Sequence, residues 1–289
     1  MTAIREVDEI FQSQTTREGA GVRLKRGFGF HQLPRFDPFL MLDDFRSDRR
    51  ADYQAGFPWH PHRGMETITY VLDGQVNHED SLGNTGSIAA GDVQWMTAGS
   101  GILHQEMPRG TDAGRLQGFQ LWLNLPARYK MMDPRYQNIS RDSIPTVELH
   151  NQARARVIAG QLGAVRGPVE DDTSDPEYLD VQVPAAATFE YPVTRGRTAF
   201  AYVLGGTAAF AGRPGFVGDG NVVLFKDGDL VRLRSGDQGA HLLLVSGKPL
   251  GEPISWYGPM VMNTHEEIET ALDELDKGTF IKQRGRAAR

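Results

Sequence analysis

Two pairs of side chains with the spacing of a β-strand set the strongest limit on how this chain folds. His60 and His62 lie two residues apart, and His104 and Glu106, which follow 42 residues after His62, repeat that spacing. Alternate residues of an extended strand project to one face, so two such pairs on neighbouring strands can direct three imidazoles and a carboxylate at one point. The spacing therefore predicts a metal site built on β-strands.

The segment between the two pairs favours antiparallel strands. Short β-branched and aromatic runs occur at 67–72, 75–79 and 91–96, and Asp-, Gly- and Asn-containing turns separate them at 73–74 and 80–84. Such runs are typical of strands joined by tight turns. We expect this meander to bring His60 and His104 into register across a small barrel.

The choice of carboxylate is open from the spacing alone. Glu66 lies at an even offset from both His60 and His62, so it competes with Glu106 as the fourth ligand. The chain contains no cysteine, which excludes disulfides, thiolate ligands and a closed thiolate zinc site. A site of nitrogen and oxygen ligands suits Fe(II), Mn, Ni, Cu or Zn. Four protein ligands would leave up to two positions free on an octahedral ion.

Charge and hydropathy limit the partners of the protein. A net charge of −6 argues against a large electrostatic footprint on nucleic acid. No apolar run approaches the roughly 20 residues that a bilayer span requires. The first nine residues carry acids and no apolar stretch of the kind found in secretion signals. We therefore expect a cytoplasmic protein that binds neither membranes nor nucleic acid directly.

Several stretches of the sequence resemble the pirin family of the cupin superfamily. Two nearly continuous stretches, 60–70 and 91–106, carry most of the resemblance, and shorter pieces extend it along the chain. The shorter pieces are 27–29, 42–45, 121–126 and 257–264. The resemblance implies an all-β fold of two cupin barrels, the double-stranded β-helix or jelly-roll, with a few short helices. It also implies that Glu106 is the carboxylate ligand, beside His60, His62 and His104, and leaves Glu66 as a candidate either to support a ligand from behind or to serve as a spare ligand.

A weak internal repeat agrees with two similar halves. Residues 69–74 are echoed by 201–206, and 90–93 by 227–230. We expect an N-terminal metal-binding cupin domain over 1–134 and a C-terminal cupin domain over 135–289, with an otherwise irregular connector between Pro126 and Pro145 that contains one short helical turn.

The second half does not repeat the proposed ligands. Pro192 and Thr194 stand where the repeat would place His60 and His62, and His241 falls only near the position of His104. We therefore expect the C-terminal domain to be metal-free and structural.

A helix is predicted near the C-terminus. Thr264 and Glu267 fit a capping box, and acids crowd the first turn, as the helix dipole favours. Ile268, Ala271, Leu272 and Leu275 then recur at helical spacing. The helix is expected to pack this apolar stripe on a barrel.

The resemblance implies a dioxygenase of the quercetin 2,3-dioxygenase type. Its substrates would be dioxygen and a flavonol or enediol, and Glu106 would both bind Fe(II) and accept the proton of the flavonol 3-hydroxyl. The alternative is an iron-binding regulatory protein that modulates a transcription factor or metabolic enzyme without turnover, and a third is a cupin with another small molecule. An enzyme needs a pocket beside the metal, and the aromatic and apolar residues near enough in sequence to line one are Phe45, Phe57, Trp59 and Met65.

Overall fold

The computed structural model describes residues 2–149, 151–169, 173 and 175–283. This part of the chain is mainly β-structure with two α-helices, α1 over Arg50–Tyr53 and α2 over His265–Asp276. Single 3-10 turns occupy Phe30–Gln32, Ala127–Tyr129 and Arg141–Ser143. The predicted all-β fold with a helix near the C-terminus is confirmed.

The strands follow one another at short intervals along the whole chain. In chain order they are β1 Val7–Gln12, β2 Gln14–Glu18, β3 Val22–Phe28, β4 Phe39–Asp44, β5 Phe57–His62, β6 Met65–Asp73, β7 Gln75–Asp80, β8 Thr85–Ala89, β9 Val93–Thr97, β10 Ile102–Arg109, β11 Gln117–Asn124, β12 Arg135–Ile139, β13 Thr146–Glu148, β14 Arg154–Ala159, β15 Gln161–Leu162, β16 Val165–Arg166, β17 Glu177–Val183, β18 Thr188–Pro192, β19 Thr198–Phe210, β20 Val217–Gly218, β21 Asn221–Phe225, β22 Leu230–Gly247, β23 Ser255–Tyr257 and β24 Met260–Met262.

The chain folds into two compact units, each assembled from separate segments. The histidine unit comprises the described residues of Thr15–Arg26, Phe39–Arg141 and Leu250–Arg289. The second unit comprises those of Met1–Gln14, Gly27–Pro38 and Asp142–Pro249. The division at 134/135 stays a prediction, and the folded units differ from it because α2 belongs to the histidine unit.

Two antiparallel sheets make up most of the histidine unit. One has the strand order β5-β10-β7-β8, and the other has the order β12-β9-β6-β11-β4-β3-β2. The predicted turn at 73–74 connects β6 to β7, and Gly74 adopts a φ of +81°, a conformation that side-chain-bearing residues rarely take. The strands predicted between the two histidine pairs are therefore present as β6, β7 and β9.

The burial of each strand follows from its place in the sheet. β6 lies between β9 and β11 in the larger sheet, and its first seven residues are all buried, as in a strand covered on both faces. β10 alternates instead, with Ile102, His104 and Glu106 more buried than the residues between them. This alternation places the two predicted ligands of β10 on the same inward face.

The second unit is dominated by one large antiparallel sheet with the order β1-β21-β19-β22-β17-β14-β13. Its long strands β19 and β22 pair over most of their length, and the register shifts at two places within β19. At the second of these, Gly206 has a φ of +62°, and a Cβ there would lie 2.1 Å from the carbonyl oxygen of Gly239. Glycine is thus required where these two backbones approach each other.

The prediction of an irregular connector between Pro126 and Pro145 is wrong for part of that segment. Residues Arg135–Ile139 form β12, which pairs antiparallel with β9 at the edge of the larger sheet of the histidine unit. This strand is short and largely polar and does not alternate, so no periodic signal separates it from a loop.

Helix α2 begins as the sequence predicts. Thr264 is its N-cap, with its Oγ1 accepting from the backbone N–H of Glu267 at 3.2 Å while the Glu267 carboxylate accepts from the Thr264 N–H at 3.0 Å. Ile268 and Ala271 are buried on its inner side, in a cluster with Met260 and Met262. Among the described helices, none has the length and apolar character needed to span a bilayer.

Candidate metal centre

The predicted ligands lie on two neighbouring antiparallel strands, β5 and β10. His60 is directly opposite His104, and His62 is opposite Ile102. The register shifts between His104 and Glu106, so that Glu106 faces Phe57. The strand pairing therefore brings His60 and His104 into the register that their spacing predicts.

Three imidazoles meet at this point. The Nε2 atom of His60 lies 3.1 Å from Nε2 of His62 and 3.0 Å from Nε2 of His104. One ring nitrogen from each of the three histidines falls within 4.8 Å of the others, a spacing that one metal ion can bridge. His62 and His104 are each 1% exposed, whereas His60 is partly exposed.

Backbone carbonyls fix the orientation of two of these rings. Nδ1 of His60 lies 2.8 Å from the carbonyl oxygen of Pro58, and Nδ1 of His62 lies 3.1 Å from that of Pro259. A carbonyl oxygen only accepts hydrogen bonds, so Nδ1 carries a proton and donates in both rings. In the Nδ1–H tautomers, the Nε2 lone pairs of His60 and His62 face each other.

The electrostatics of the trio favour a bound cation. Burial, followed by the proximity of His60, lowers the pKa of both His62 and His104, so these two rings are neutral. A proton on Nε2 of His104 could satisfy His60, but the opposed lone pairs of His60 and His62 would remain. A metal ion accepts both lone pairs, and carbonyl partners on the far ring nitrogens are the usual support for metal-binding histidines. The donor set thus fits a metal ion.

Glu106 lies beside the trio without belonging to its tight nitrogen cluster. Its Oε2 is 3.9 Å from Nε2 of His104, and the side chain is 4% exposed. Thr69 donates to Oε1 at 3.2 Å, and Gln120 donates to Oε1 and Oε2 at 3.1 and 3.0 Å. The carboxylate is therefore within reach of the histidines and is held from its other side by neutral donors.

Glu66 occupies a different environment. β5 ends at His62 and β6 begins at Met65, with Gly64 at a φ of +75° between them. The even offset from His62 therefore crosses a strand break and does not place Glu66 on the same face. Its buried carboxylate accepts a hydrogen bond from Thr97 of β9 at 2.5 Å.

Several contributors to the site carried no functional expectation from sequence. Among them are Gln120, Trp122, whose indole N–H donates to Gln120 Oε1 at 2.9 Å, and the carbonyl of Pro259. Gln120 and Trp122 show the same two-residue spacing as the histidine pairs, which could have marked a shared strand face. The contact of the Pro259 carbonyl with His62 could not be predicted from the sequence, because any residue at that backbone position would present the same carbonyl.

A small cavity lies on the far side of Glu106. It has a volume of about 20 Å³, and Phe45, Phe57, Thr69 and Gln120 are among its lining residues. This is room for about one water molecule and not for a flavonol. Phe45 and Phe57 thus border Glu106, whereas Trp59 is 47% exposed and Met65 is fully buried outside this lining.

Comparison with known proteins agrees with this site and fold. The pirin family model matches residues 21–123, and the model of the pirin C-terminal cupin domain matches residues 178–281. The chain belongs to the pirin family. The expectation of two cupin barrels is thereby confirmed.

Relatives of this pirin family member align over nearly its whole length. A pirin-like protein of Caulobacter vibrioides is 44% identical over 278 residues, covering 96% of this chain and 99% of its own. The crystal structure of a quercetin 2,3-dioxygenase from Acinetobacter baumannii matches with a TM-score of 0.88 and 32% identity, covering 96% of this chain and 99% of that one.

A more distant pirin shares the fold. The bacterial pirin YhhW from Escherichia coli, solved in complex with nickel(II), has a TM-score of 0.62 at 22% identity and covers 86% of this chain and 99% of its own. Together with the histidine trio, pirin membership points to a metal cofactor whose identity the ligands alone do not specify.

His241 of the second unit lies in a different environment from the three converging histidines. His241 lies on β22 opposite Gly205 and Gln182, and its Nε2 is 2.6 Å from Oδ1 of Asp180. No second group of three metal-ligating side chains occurs among the residues that the structure describes. His241 is thus hydrogen-bonded to a buried carboxyl group.

Proposed function

We propose that His60, His62, His104 and Glu106 hold one divalent ion, and that this centre makes the chain a dioxygenase of quercetin or a related flavonol or enediol. The observation that carries metal binding is the convergence of three imidazoles, with Nε2 of His60 3.1 Å from Nε2 of His62 and 3.0 Å from Nε2 of His104. Similarity to the quercetin 2,3-dioxygenase of A. baumannii supports the reaction class.

Ferrous iron is the proposed native ion, although Mn, Ni, Cu and Zn suit the same nitrogen and oxygen donors. When bound, it would supply Lewis acidity and the redox capacity that dioxygen chemistry needs. Three neutral imidazoles and one carboxylate leave the centre a net positive charge, which favours an anionic substrate oxygen.

The protein residues would bind and orient the substrate and move one proton. We propose that Glu106 accepts the proton of the flavonol 3-hydroxyl on Oε2, the oxygen 3.9 Å from His104 Nε2. Thr69 and Gln120 hold the carboxylate in place from the opposite side. The overall reaction adds both atoms of dioxygen to the flavonol, opens its ring and releases one carbon as carbon monoxide.

The substrate would approach from the solvent side of the trio. His60 is the partly exposed member, whereas the cavity behind Glu106 holds about one water molecule. A flat flavonol entering from the His60 side would place its oxygen beside the three nitrogens without displacing the buried donors of Glu106.

The test uses metal-stripped full-length protein reloaded anaerobically with Fe(II). Quercetin and oxygen are then added, and flavonol absorbance and carbon monoxide release are followed for the parent, His62→Ala and His265→Ala. The last variant removes an exposed imidazole of α2 and is the matched control. We expect turnover in the parent and in His265→Ala and its loss in His62→Ala.

Metal content measured on the same samples separates the two parts of the proposal. Equal iron content in the parent and His62→Ala would overturn the metal centre. Iron lost only from His62→Ala, with equally slow flavonol loss in both, would overturn the dioxygenase and favour the regulatory alternative. The metal in freshly purified protein then tests the assignment of iron.

A further inference from the structure

Glu106 receives its hydrogen bonds from across the barrel. Glu106 is on β10 of the smaller sheet, and Gln120 is on β11 of the larger sheet. The Gln120 Nε2 atom lies 3.1 and 3.0 Å from the two carboxylate oxygens of Glu106 and 3.1 Å from Oγ1 of Thr69. One amide group thus faces both oxygens of the proposed ligand.

The orientation of this amide is determined by Trp122. An amide can turn over and exchange its donor and acceptor ends, but the indole N–H of Trp122 is a donor only. It lies 2.9 Å from Gln120 Oε1, so Oε1 faces the indole and the NH₂ group faces Glu106. Gln120 and Trp122 are two residues apart on β11, which puts both side chains on the same face.

The indole is in turn fixed by its neighbours. The Trp122 ring is 9% exposed, and it meets the His62 ring edge to face at a centroid distance of 5.2 Å. The ring of Trp256, on β23, packs against the Trp122 ring with a centroid distance of 5.9 Å. Trp122 therefore contacts one proposed ligand directly and another through Gln120.

We propose that Gln120, oriented by Trp122, is a positioning residue that holds the Glu106 carboxylate in the orientation required for metal binding. The inference rests on the proposed role of Glu106 as a ligand. The terminal torsion of a glutamate is soft, so without a partner its oxygens sample many directions. Partners that orient a ligand in this way commonly change metal affinity by about 10- to 100-fold.

The test measures Co(II) binding to the metal-stripped protein and the visible absorption of the bound ion, which reports its ligand geometry. Gln120→Leu removes the amide at similar size, and Trp122→Phe keeps an aromatic ring without the N–H. Gln94→Leu is the matched control, because Gln94 is a buried glutamine that bonds Asn138 at 3.0 Å in the same sheet.

We expect Gln120→Leu to weaken Co(II) binding about tenfold or more and to alter the spectrum. Trp122→Phe should change the Co(II) affinity and the spectrum in the same direction as Gln120→Leu but by a smaller amount. The Gln120 amide is still present in this variant, but it can turn over. Gln94→Leu should leave both unchanged. If Gln120→Leu does not fold, Trp122→Phe carries the test, and an unchanged spectrum and affinity there overturns the inference.

A double-mutant cycle separates positioning from packing. In a Glu106→Ala background there is no carboxylate to orient, so Gln120→Leu should have no further effect on Co(II) affinity. A further loss of the same size in that background would overturn the inference. Equal Co(II) affinity in the parent and His62→Ala would instead overturn the proposed metal centre, which is a separate result from a failure of the Gln120 variants alone.

Discussion

His60 and His104 are 44 residues apart, yet they are directly opposite each other on β5 and β10 with their Nε2 atoms 3.0 Å apart. The contact depends on strand register, because a slip of one residue would turn one ring to the other face. The register shift between His104 and Glu106 changes which residue of β5 faces the carboxylate. The site is thus specified by the pairing of one short strand with its neighbour.

The first prediction concerns the two candidate carboxylates. Glu106→Gln should lower the affinity for Mn(II) at least tenfold, because it removes the proposed anionic ligand, whose Oε2 lies 3.9 Å from Nε2 of His104. Glu66→Gln should leave that affinity within about twofold, because Glu66 bonds Thr97 beyond the break at Gly64. Isothermal titration of both variants checks this, and an equal or larger loss in Glu66→Gln would contradict it.

The three histidines that converge could be predicted from sequence because they obey strand periodicity. The i, i+2 spacing of His60 and His62 needs no knowledge of the fold to place both on one face. Glu66 could not be ruled out in this way, because its offset also fits, and only the break between β5 and β6 shows that the strand does not continue.

Sequence patterns could not predict that each of the two units is assembled from separate segments of the chain. The repeat of 69–74 in 201–206 indicated two similar halves. A sequence repeat compares continuous stretches of chain, so it does not show that each folded unit is assembled from separate segments. The placement of the described residues of Leu250–Arg289 in the histidine unit depends on non-local contacts, such as that of His62 with Pro259. The same is true of Gln120, whose role depends on a residue from the opposite sheet.

The second prediction concerns a buried lysine beside the centre. Lys130 is 1% exposed and donates to the carbonyls of Gly64 and Val261 and to Asn124 Oδ1 at 2.7 to 2.9 Å. Burial lowers its pKa from 10.5 to about 7, although Glu252 and Glu267 act in the opposite direction. Between those two values the unfolded chain keeps a proton that the folded protein releases, so stability rises with pH.

Lys130→Met should remove this rise. For the parent, the free energy of unfolding should increase from about pH 7 to 9 by up to about 1.4 kcal/mol per pH unit, and below about pH 7 the lysine should contribute no slope. Urea unfolding followed by tryptophan fluorescence measures this, since all four tryptophans belong to the histidine unit. Parallel pH profiles for parent and variant would refute the prediction.

The third prediction concerns the start of α2. Thr264→Ala removes the acceptor of the Glu267 N–H and should destabilise the histidine unit by about 1 kcal/mol. Thr270→Ala, an exposed position inside the same helix, should be neutral or slightly stabilising, because alanine favours helix. Urea unfolding of both variants decides the matter, and a similar loss in both would show that the cap itself is not responsible.

The last prediction concerns Arg63, which follows His62 and is 1% exposed. Its guanidinium donates to the carbonyls of Ser100 and Phe280 at 2.7 and 2.9 Å and pairs with Glu274 of α2 at 2.7 Å. It also lies over the Phe280 ring at 4.1 Å. These contacts tie the segment that contains α2 to the turn that follows the histidine strand β5.

Arg63→Met should therefore loosen α2 before the rest of the histidine unit. Removing one partner of a fully buried ion pair costs about 3–5 kcal/mol. Glu274 is partly exposed and also pairs with Lys282, so the loss should be smaller, and it falls on the segment that the arginine holds. Hydrogen exchange should become faster at the amides of 265–276 while the amides of β6 and β11 stay protected. Arg195→Met, which removes an exposed pair with Asp229 in the second unit, is the control and should not change α2. Unchanged exchange at 265–276 in Arg63→Met would show that α2 is held by its apolar face alone.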